Sequence, residues 1–166
     1  QNRVIGWFQG GSEIGPRALG NRSIIASPIN SWMTGHINSD IKRREWYRPF
    51  APAVLFEHQG DVFESSVYSP YMLVTTTVKE EWRNKVPAIT HIDNSSRHQS
   101  VTVKNNPRFY SLISKFNEKT GVPVLLNTSF NGPHEPIVET PMDAIGTFLS
   151  NNLDILVINN IVITKG

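Results

Sequence analysis

The sequence predicts an α+β (α/β-like) fold, on three observations. Short apolar runs rich in β-branched and aromatic residues recur between turn signals, as strands do. Two segments, Pro107–Thr120 and the one opened by Thr140-Pro141-Met142-Asp143, carry helix start signals and apolar residues at helical spacing. Residues 122–126 are apolar without alternation, the pattern of a strand buried on both faces. At 166 residues, with no repeat, low-complexity tract or linker, the chain reads as one domain over 1–166.

Val4, Ile5, Trp7 and Phe8 form the first apolar run and Ile24, Ile25 and Ala26 the second. Between them lies a loop with Gly10, Gly11, Gly15, Gly20, Pro16, Arg17 and Arg22, so the expected unit is strand, tight loop, strand. Glycine lets a backbone approach a ligand closely, and Arg17 and Arg22 add planar forks of donors suited to phosphate or carboxylate oxygens. Asn30 is then placed to cap a helix reaching about Arg44, with Trp32, Met33, His36, Ile37 and Ile41 near helical spacing. Lys42-Arg43-Arg44 would close it, where cations suit the helix dipole, and Arg44 would pair with Glu45 or Asp40. Residues 48–56 read as a loop entering a buried strand, and 61–64 as a short helical piece.

Residues 71–78, 88–93 and 100–104 read as strands, the last two bracketing a loop over 94–99 that holds Arg97. In the helix Pro107–Thr120, Phe109, Leu112, Ile113 and Phe116 fall at i, i+3, i+4 and i+7, and Gly121 stops it. Asn127-Thr128-Ser129-Phe130-Asn131 follows the buried run, a polar cluster at the carboxyl end of a central strand, where open sheets commonly bind ligands. Thr140 caps the next helix, with Pro141 in its first turn and Asp143 as its third residue. Residues 153–158 and 161–164, split by Asn159-Asn160, form a two-residue hairpin.

Composition narrows the function. The 39% hydrophobic and 18% charged content points to a soluble globule, and no apolar run nears the roughly 20 residues needed to cross a bilayer. With no cysteine there is no disulfide scaffold, thiolate metal site or cysteine nucleophile; a reducing compartment, and hence the cytoplasm, is the expected setting. The chain opens on Gln1 with no signal peptide, so a fragment of a longer protein is expected. Residues 1–50 carry seven cations against three anions, the remainder nine against eleven. Such a local positive field suits an anionic small molecule better than a long polyanion. His91 and Asp93 offer two metal ligands without an evident third, so no metal site is assigned. Trp7-Phe8 and Trp46-Tyr47 read as core or lid, with one ring able to stack on a base.

Taken together, Gly15-Pro16-Arg17-Ala18-Leu19-Gly20-Asn21-Arg22-Ser23, then residues 42–52 with Lys42 and Arg48, then 93–99 with Arg97, then 127–131 with Glu135-Pro136-Ile137-Val138, resemble the C-terminal domain of the NodU/CmcH-type O-carbamoyltransferases, over essentially the whole chain. The resemblance implies a YrdC-like fold, a twisted mixed sheet with packed helices. It also implies an N-terminal actin-like ATPase-type domain elsewhere in the full-length chain as the partner. The implied chemistry joins carbamoyl phosphate and ATP, the latter with Mg2+, into carbamoyl-adenylate, whose carbamoyl group passes to a hydroxyl of a natural product. Lys42 and Arg48 then become catalytic cations, and Arg17, Arg22, Arg97, Ser129 and Asn131 contacts to substrate and phosphate. Two phosphorylated substrates bring about six negative charges, a load that several cations and a divalent metal balance. The alternative is a non-catalytic YrdC-like nucleotide or RNA-binding module, recognisable by a steep salt dependence. Oligomeric state is left open, a homodimer included. Pro133-His134 stands before the Glu-Pro pair where relatives often place small or flexible residues.

Overall fold

A computed structural model describes residues 2–165. Its strands are β1 (Ile5–Phe8), β2 (Arg22–Ala26), β3 (Ala51–Leu55), β4 (Thr75–Thr77), β5 (Ser95–Arg97), β6 (Gln99–Val101), β7 (Val124–Ser129), β8 (Ile155–Ile158) and β9 (Ile161–Thr164). Seven form one sheet in the order β6-β3-β7-β2-β1-β8-β9, while β4 and β5 pair separately. The sheet is mixed: β1 with β8 and β3 with β6 run parallel, and the other ladders are antiparallel. Helices α1 (Trp32–His36), α2 (Gln59–Val62), α3 (Glu80–Arg83), α4 (Pro107–Thr120) and α5 (Pro141–Ser150) complete an α+β fold.

Strand side chains alternate between faces, and this alternation divides the core in two. Ile24, Val54, Leu126 and Phe8 join Met33, Ile37, Phe130 and Phe148 on one face; Ile25, Ala53, Leu55, Leu125 and Trp7 meet Phe109 and Ile113 of α4 on the other. The central strands are therefore covered on both sides, which is why residues 122–126 show no polar alternation. Pro52 is tolerated in β3 because the ladder to β6 begins only at Ala53.

Both long helices end where the sequence says. The Asn106 side chain accepts from the Phe109 N–H at 3.1 Å, Pro107 opens α4, and Gly121 closes it with a left-handed φ of 72°. Thr140 and Asp143 form a reciprocal capping box at α5. Asn159 turns the β8–β9 hairpin at a φ of 51°.

Four expectations are corrected. The helix expected to reach Arg44 ends earlier: α1 widens into a π-turn over Ile37–Ile41, the Lys42 N–H bonding the Ile37 carbonyl, and Arg43 reverses the chain at a φ of 46°. The basic run therefore caps no helix, and Lys42 turns inward. Asn30 gives no side-chain cap; its amide donates to Asn2 instead. Residues 71–78 yield only the short β4, because Met72 turns at a φ of 56°. Residues 88–93 form no strand, since Pro87 starts a 3₁₀ turn ending at Ile89, and Arg97 lies on β5 rather than in a loop.

Candidate anion-binding cleft

β7 ends in Asn127, Thr128 and Ser129, and these polar groups form one wall of a cleft of about 340 Å³. Arg17, Arg44, Arg48 and Arg97 also line it, with Pro49, Phe50 and Met72 supplying apolar surface. Among the described residues lining it there is no carboxylate.

Each arginine is brought there by a different device. Arg17 rides on the loop after β1, which Glu13 pins by accepting from the N–H groups of Leu19 and Asn21, both at 2.7 Å. The far side of that loop is tied to the sheet: Asn127 donates to the Ala18 carbonyl, Gln99 to that of Leu19, and the Trp7 indole to that of Gly20. Gly20 has a φ of 105°, and a Cβ there would lie 2.3 Å from the Phe109 ring, so only glycine allows α4 to pack this close. Arg97 is set by the β4–β5 ladder opposite Thr75.

Arg44 and Arg48 depend on one buried amide. Asn38, at 0% exposure, donates to the carbonyls of Trp46 at 3.0 Å and Arg48 at 2.8 Å, and its own oxygen accepts from Arg44 Nε at 2.7 Å. The tight turn after the π-segment is thereby fixed, and both guanidinium groups project from it into the cleft.

Lys42 lies behind the wall, 7% exposed. Its ammonium donates to the Ser129 carbonyl, to the Asn131 carbonyl at 3.0 Å and to Asn131 Oδ1 at 2.7 Å, with Ser129 Oγ at 3.3 Å. Burial first, and Arg44 second, push it from 10.5 down to about 7, with Glu135 opposing. Ser129 in turn donates to Asn131 Oδ1 at 2.7 Å, so the Lys42–Ser129–Asn131 cluster stiffens the end of β7. Crowded cations mark the cleft itself. Burial and then Arg17 lower Arg97, whose Nε is buried without a partner, and burial and then Arg48 lower Arg44.

The structure thus gathers Arg17, Arg48, Arg97 and Ser129 on one cleft, with Lys42 and Asn131 directly behind. It does not bring Arg22 to that lining. Buried at 3% exposure, Arg22 donates to the carbonyls of Gln9, Asn21, Gly10 and Glu139 and lies 3.5 Å over the Phe8 ring, a bracket for the loop. Sequence reasoning missed Arg44 as a lining group and Asn38 as an organiser, and it marked the polar cluster holding Asn127 and Thr128 without giving those two a contact. Arg44 belonged to a basic run that a helix end explained equally well. The signal for Asn38 was an amide on the apolar side of the first helical segment. Among the described residues no three His, Asp or Glu side chains converge as a metal site. His91 bonds Ser95 Oγ and the Phe50 carbonyl, and Asp93 accepts from the Ser95 N–H.

A mixed sheet that ends a central strand in polar groups beside four arginines defines an α+β protein with a cationic cleft. The model of the Carbamoyltransferase C-terminus family matches residues 1–165, and the chain belongs to that family. It is 48% identical to nodulation protein NolNO of Sinorhizobium fredii over 98% of this chain and 24% of that protein. It is 47% identical to nodulation protein NolO of Bradyrhizobium diazoefficiens over 98% of this chain and 30% of that one. A third relative, the 3'-hydroxymethylcephem-O-carbamoyltransferase of Streptomyces clavuligerus, is 46% identical over 78% of this chain and 24% of its own length. The chain therefore spans about a quarter to a third of the curated relatives it matches.

Proposed function

We propose that the cleft binds carbamoyl phosphate and ATP and carries out the adenylate-forming half of an O-carbamoyltransferase reaction. The observation that carries this reading is the convergence of Arg17, Arg44, Arg48 and Arg97 on a cleft whose described lining has no carboxylate. Glu45 stands outside the lining, 3.8 Å from Arg48, yet four crowded cations repel one another, and a multiply charged phosphate ligand relieves that repulsion.

The chemistry asks for positioning and charge stabilisation more than for a dedicated base. Water cleaves the P–O bond of carbamoyl phosphate, releasing inorganic phosphate and a carbamate whose oxygen is already anionic. That oxygen attacks the α-phosphorus of ATP, the bond from the α-phosphorus to the α,β-bridging oxygen breaks, and pyrophosphate leaves. Arg17 and Arg97, close enough to lower Arg97's basicity, hold one phosphate group; Arg44 and Arg48 draw the charge that develops on the departing pyrophosphate. Ser129 and the end of β7, braced by Lys42 and Asn131, orient the carbamoyl end by hydrogen bonding. Mg2+ fits as a passenger of ATP: it binds mainly through phosphate oxygens and water, so the chain needs no metal cage of its own. Transfer to an acceptor hydroxyl falls to another domain of the longer enzyme.

Calorimetry with carbamoyl phosphate should show binding that Arg17→Ala and Arg97→Ala each weaken by roughly ten- to a hundredfold, the worth of a charge-assisted bond. The protein should also exchange labelled pyrophosphate into ATP only when carbamoyl phosphate is present. Equal affinity in both variants, together with no exchange, sinks the reading.

A further inference from the structure

His91-Ile92-Asp93 gathers no metal set among the described residues, yet its imidazole opens on space that adjoins the arginine cleft. A compartment of about 300 Å³ shares Phe50 and Arg97 with the cleft and adds Thr75, His91 and Ser95. A half-buried imidazole and two hydroxyls therefore stand next to one of the four cations, and the chemistry assigned to the cleft leaves them unused.

A tight turn sets the imidazole against one of those hydroxyls. The His91 N–H donates to the Ser95 carbonyl and the Asn94 N–H to that of His91, both at 2.9 Å, with Asn94 at a left-handed φ of 62°. His91 Nδ1 then lies 3.2 Å from Ser95 Oγ, and Nε2 3.4 Å from the Phe50 carbonyl. A carbonyl only accepts, so Nε2 carries the ring proton and Nδ1 turns its lone pair to Ser95. On its other side Ser95 meets Asp93: its hydroxyl and its N–H, the latter 3.0 Å from Oδ1, hold that carboxyl below the ordinary range and make Asp93 a poor base. Burial first keeps His91 below 6.5, with the Phe50 carbonyl and Asp93 opposing and Arg97 assisting, so the imidazole is neutral at pH 7.

We infer that His91 receives, through the Ser95 hydroxyl, the proton of the water that attacks carbamoyl phosphate. The inference rests on the carbamoyl phosphate reading of the cleft and deepens it. Carbamate attack on ATP needs no base, but the step before it releases a proton: carbamoyl phosphate dianion and water give carbamate, hydrogen phosphate dianion and one proton. The water oxygen bonds to phosphorus, the P–O bond to the carbamoyl group breaks, and its electron pair leaves on the carbamate oxygen. As that bond forms, the water proton passes to Ser95 Oγ and the hydroxyl proton to His91 Nδ1. The Phe50 carbonyl and Asp93 stabilise the imidazolium, while Arg97, common to both compartments, holds the phosphate beside the attacking water. Asp93, at the surface, then hands the proton to solvent.

The test uses His91→Gln, which keeps a donor for the Phe50 carbonyl and removes the basic nitrogen. Phosphate release from carbamoyl phosphate, followed with ATP and Mg2+ on the purified protein, should fall about a hundredfold in kcat with KM little changed. The native rate should climb with pH through an ionisation below 6.5 and then level off, a limb the variant should lose. Ser95→Ala should lower the same rate, and the double variant should be no slower than the worse single one, as groups acting as a unit behave. Carbamate supplied directly, from an equilibrated ammonium carbonate solution, bypasses the step. It should support equal exchange of pyrophosphate into ATP in native protein and His91→Gln, which also shows that the variant is folded. A native rate or an intact pH limb in His91→Gln, or additive losses with Ser95→Ala, overturns the proton relay and leaves the cleft standing. So does a variant that loses exchange with carbamate as well, since His91 is then structural, or native protein that uses carbamoyl phosphate but not carbamate. Native protein that neither releases phosphate nor exchanges pyrophosphate overturns the carbamoyl phosphate reading, and the relay with it.

Discussion

Single side chains divide cleanly into those facing the cleft and those holding it open. Arg17 in the glycine-rich loop and Arg22 at the start of β2 are five positions apart, yet one lines the cleft and the other brackets the loop with four carbonyl contacts. Arg22→Met should lower stability by about 3 kcal/mol, because buried carbonyls lose charged donors. Urea unfolding measures it, and an unchanged midpoint would mean the bracket carries no load. Asn38 makes the complementary case, absent from the lining but bonded to the turn that carries both Arg44 and Arg48. Asn38→Ala should cost about 2 kcal/mol and also weaken carbamoyl phosphate binding, since the arginines lose their common anchor. Stability loss with native affinity would show that the turn holds its shape without the amide. Neither role was legible in the string of residues: an arginine looks alike whether its donors meet carbonyls or solvent.

Helices and strands were most legible where local chemistry decides. α4 and α5 have caps, first-turn prolines and periodic apolar faces within their own sequence, and both appear where expected. Thr140→Ala should therefore lower stability by about 1 kcal/mol, read from a denaturant curve, with anion binding untouched because α5 lies outside the cleft lining. The first helix was misjudged because its periodicity continues past the point where the backbone widens into a π-turn. That turn lets Lys42 fold back on β7 and Arg44 reach the cleft, a tertiary demand that overrides helix propensity. Residues 88–93 were misjudged for a related reason: β-rich composition there covers a 3₁₀ turn that seats Ala88 and Ile89 in the core. Between elements, the contact of Gly20 with Phe109 couples the Arg17 loop to α4. Gly20→Ala should destabilise by about 2 kcal/mol and loosen anion binding together, through both the backbone conformation and the clash. A calorimetric titration on the folded variant checks the second half.

The molecule as a whole carries buried ionisable groups that set its pH dependence. His98 is 0% exposed and stacks on Phe63 at 5.0 Å; burial holds its imidazole below the ordinary 6.5, and burial does the same to His91. Below pH 6.5 the unfolded chain takes up protons that the native state refuses, so stability present above that pH is lost as the pH falls. Lys42 acts in a higher window. Its native value near 7 lies under the unfolded 10.5, so the unfolded chain retains a proton the native state has shed, and stability should climb as pH rises from 7 to 10.5. Urea midpoints across pH 5 to 10 should rise in both windows; His98→Phe should flatten the acidic one and Lys42→Met the alkaline one, whatever either does to absolute stability. Slopes that survive both substitutions would assign the titration to other groups.

The order of motifs along the chain determined the family and the α+β class, because glycine loops, caps and strand-length apolar runs act through neighbours in sequence. It also singled out Arg17, Arg48, Arg97 and Ser129 as candidates for one site. Only the folded chain decided that they share a cleft, that Arg44 joins them and that Arg22 does not. A guanidinium's role depends on which oxygens lie within hydrogen-bonding reach of it. For Arg22 these include the Glu139 carbonyl, 117 residues away, a proximity created by the β2–β7 and β1–β8 ladders and by nothing local to the residue.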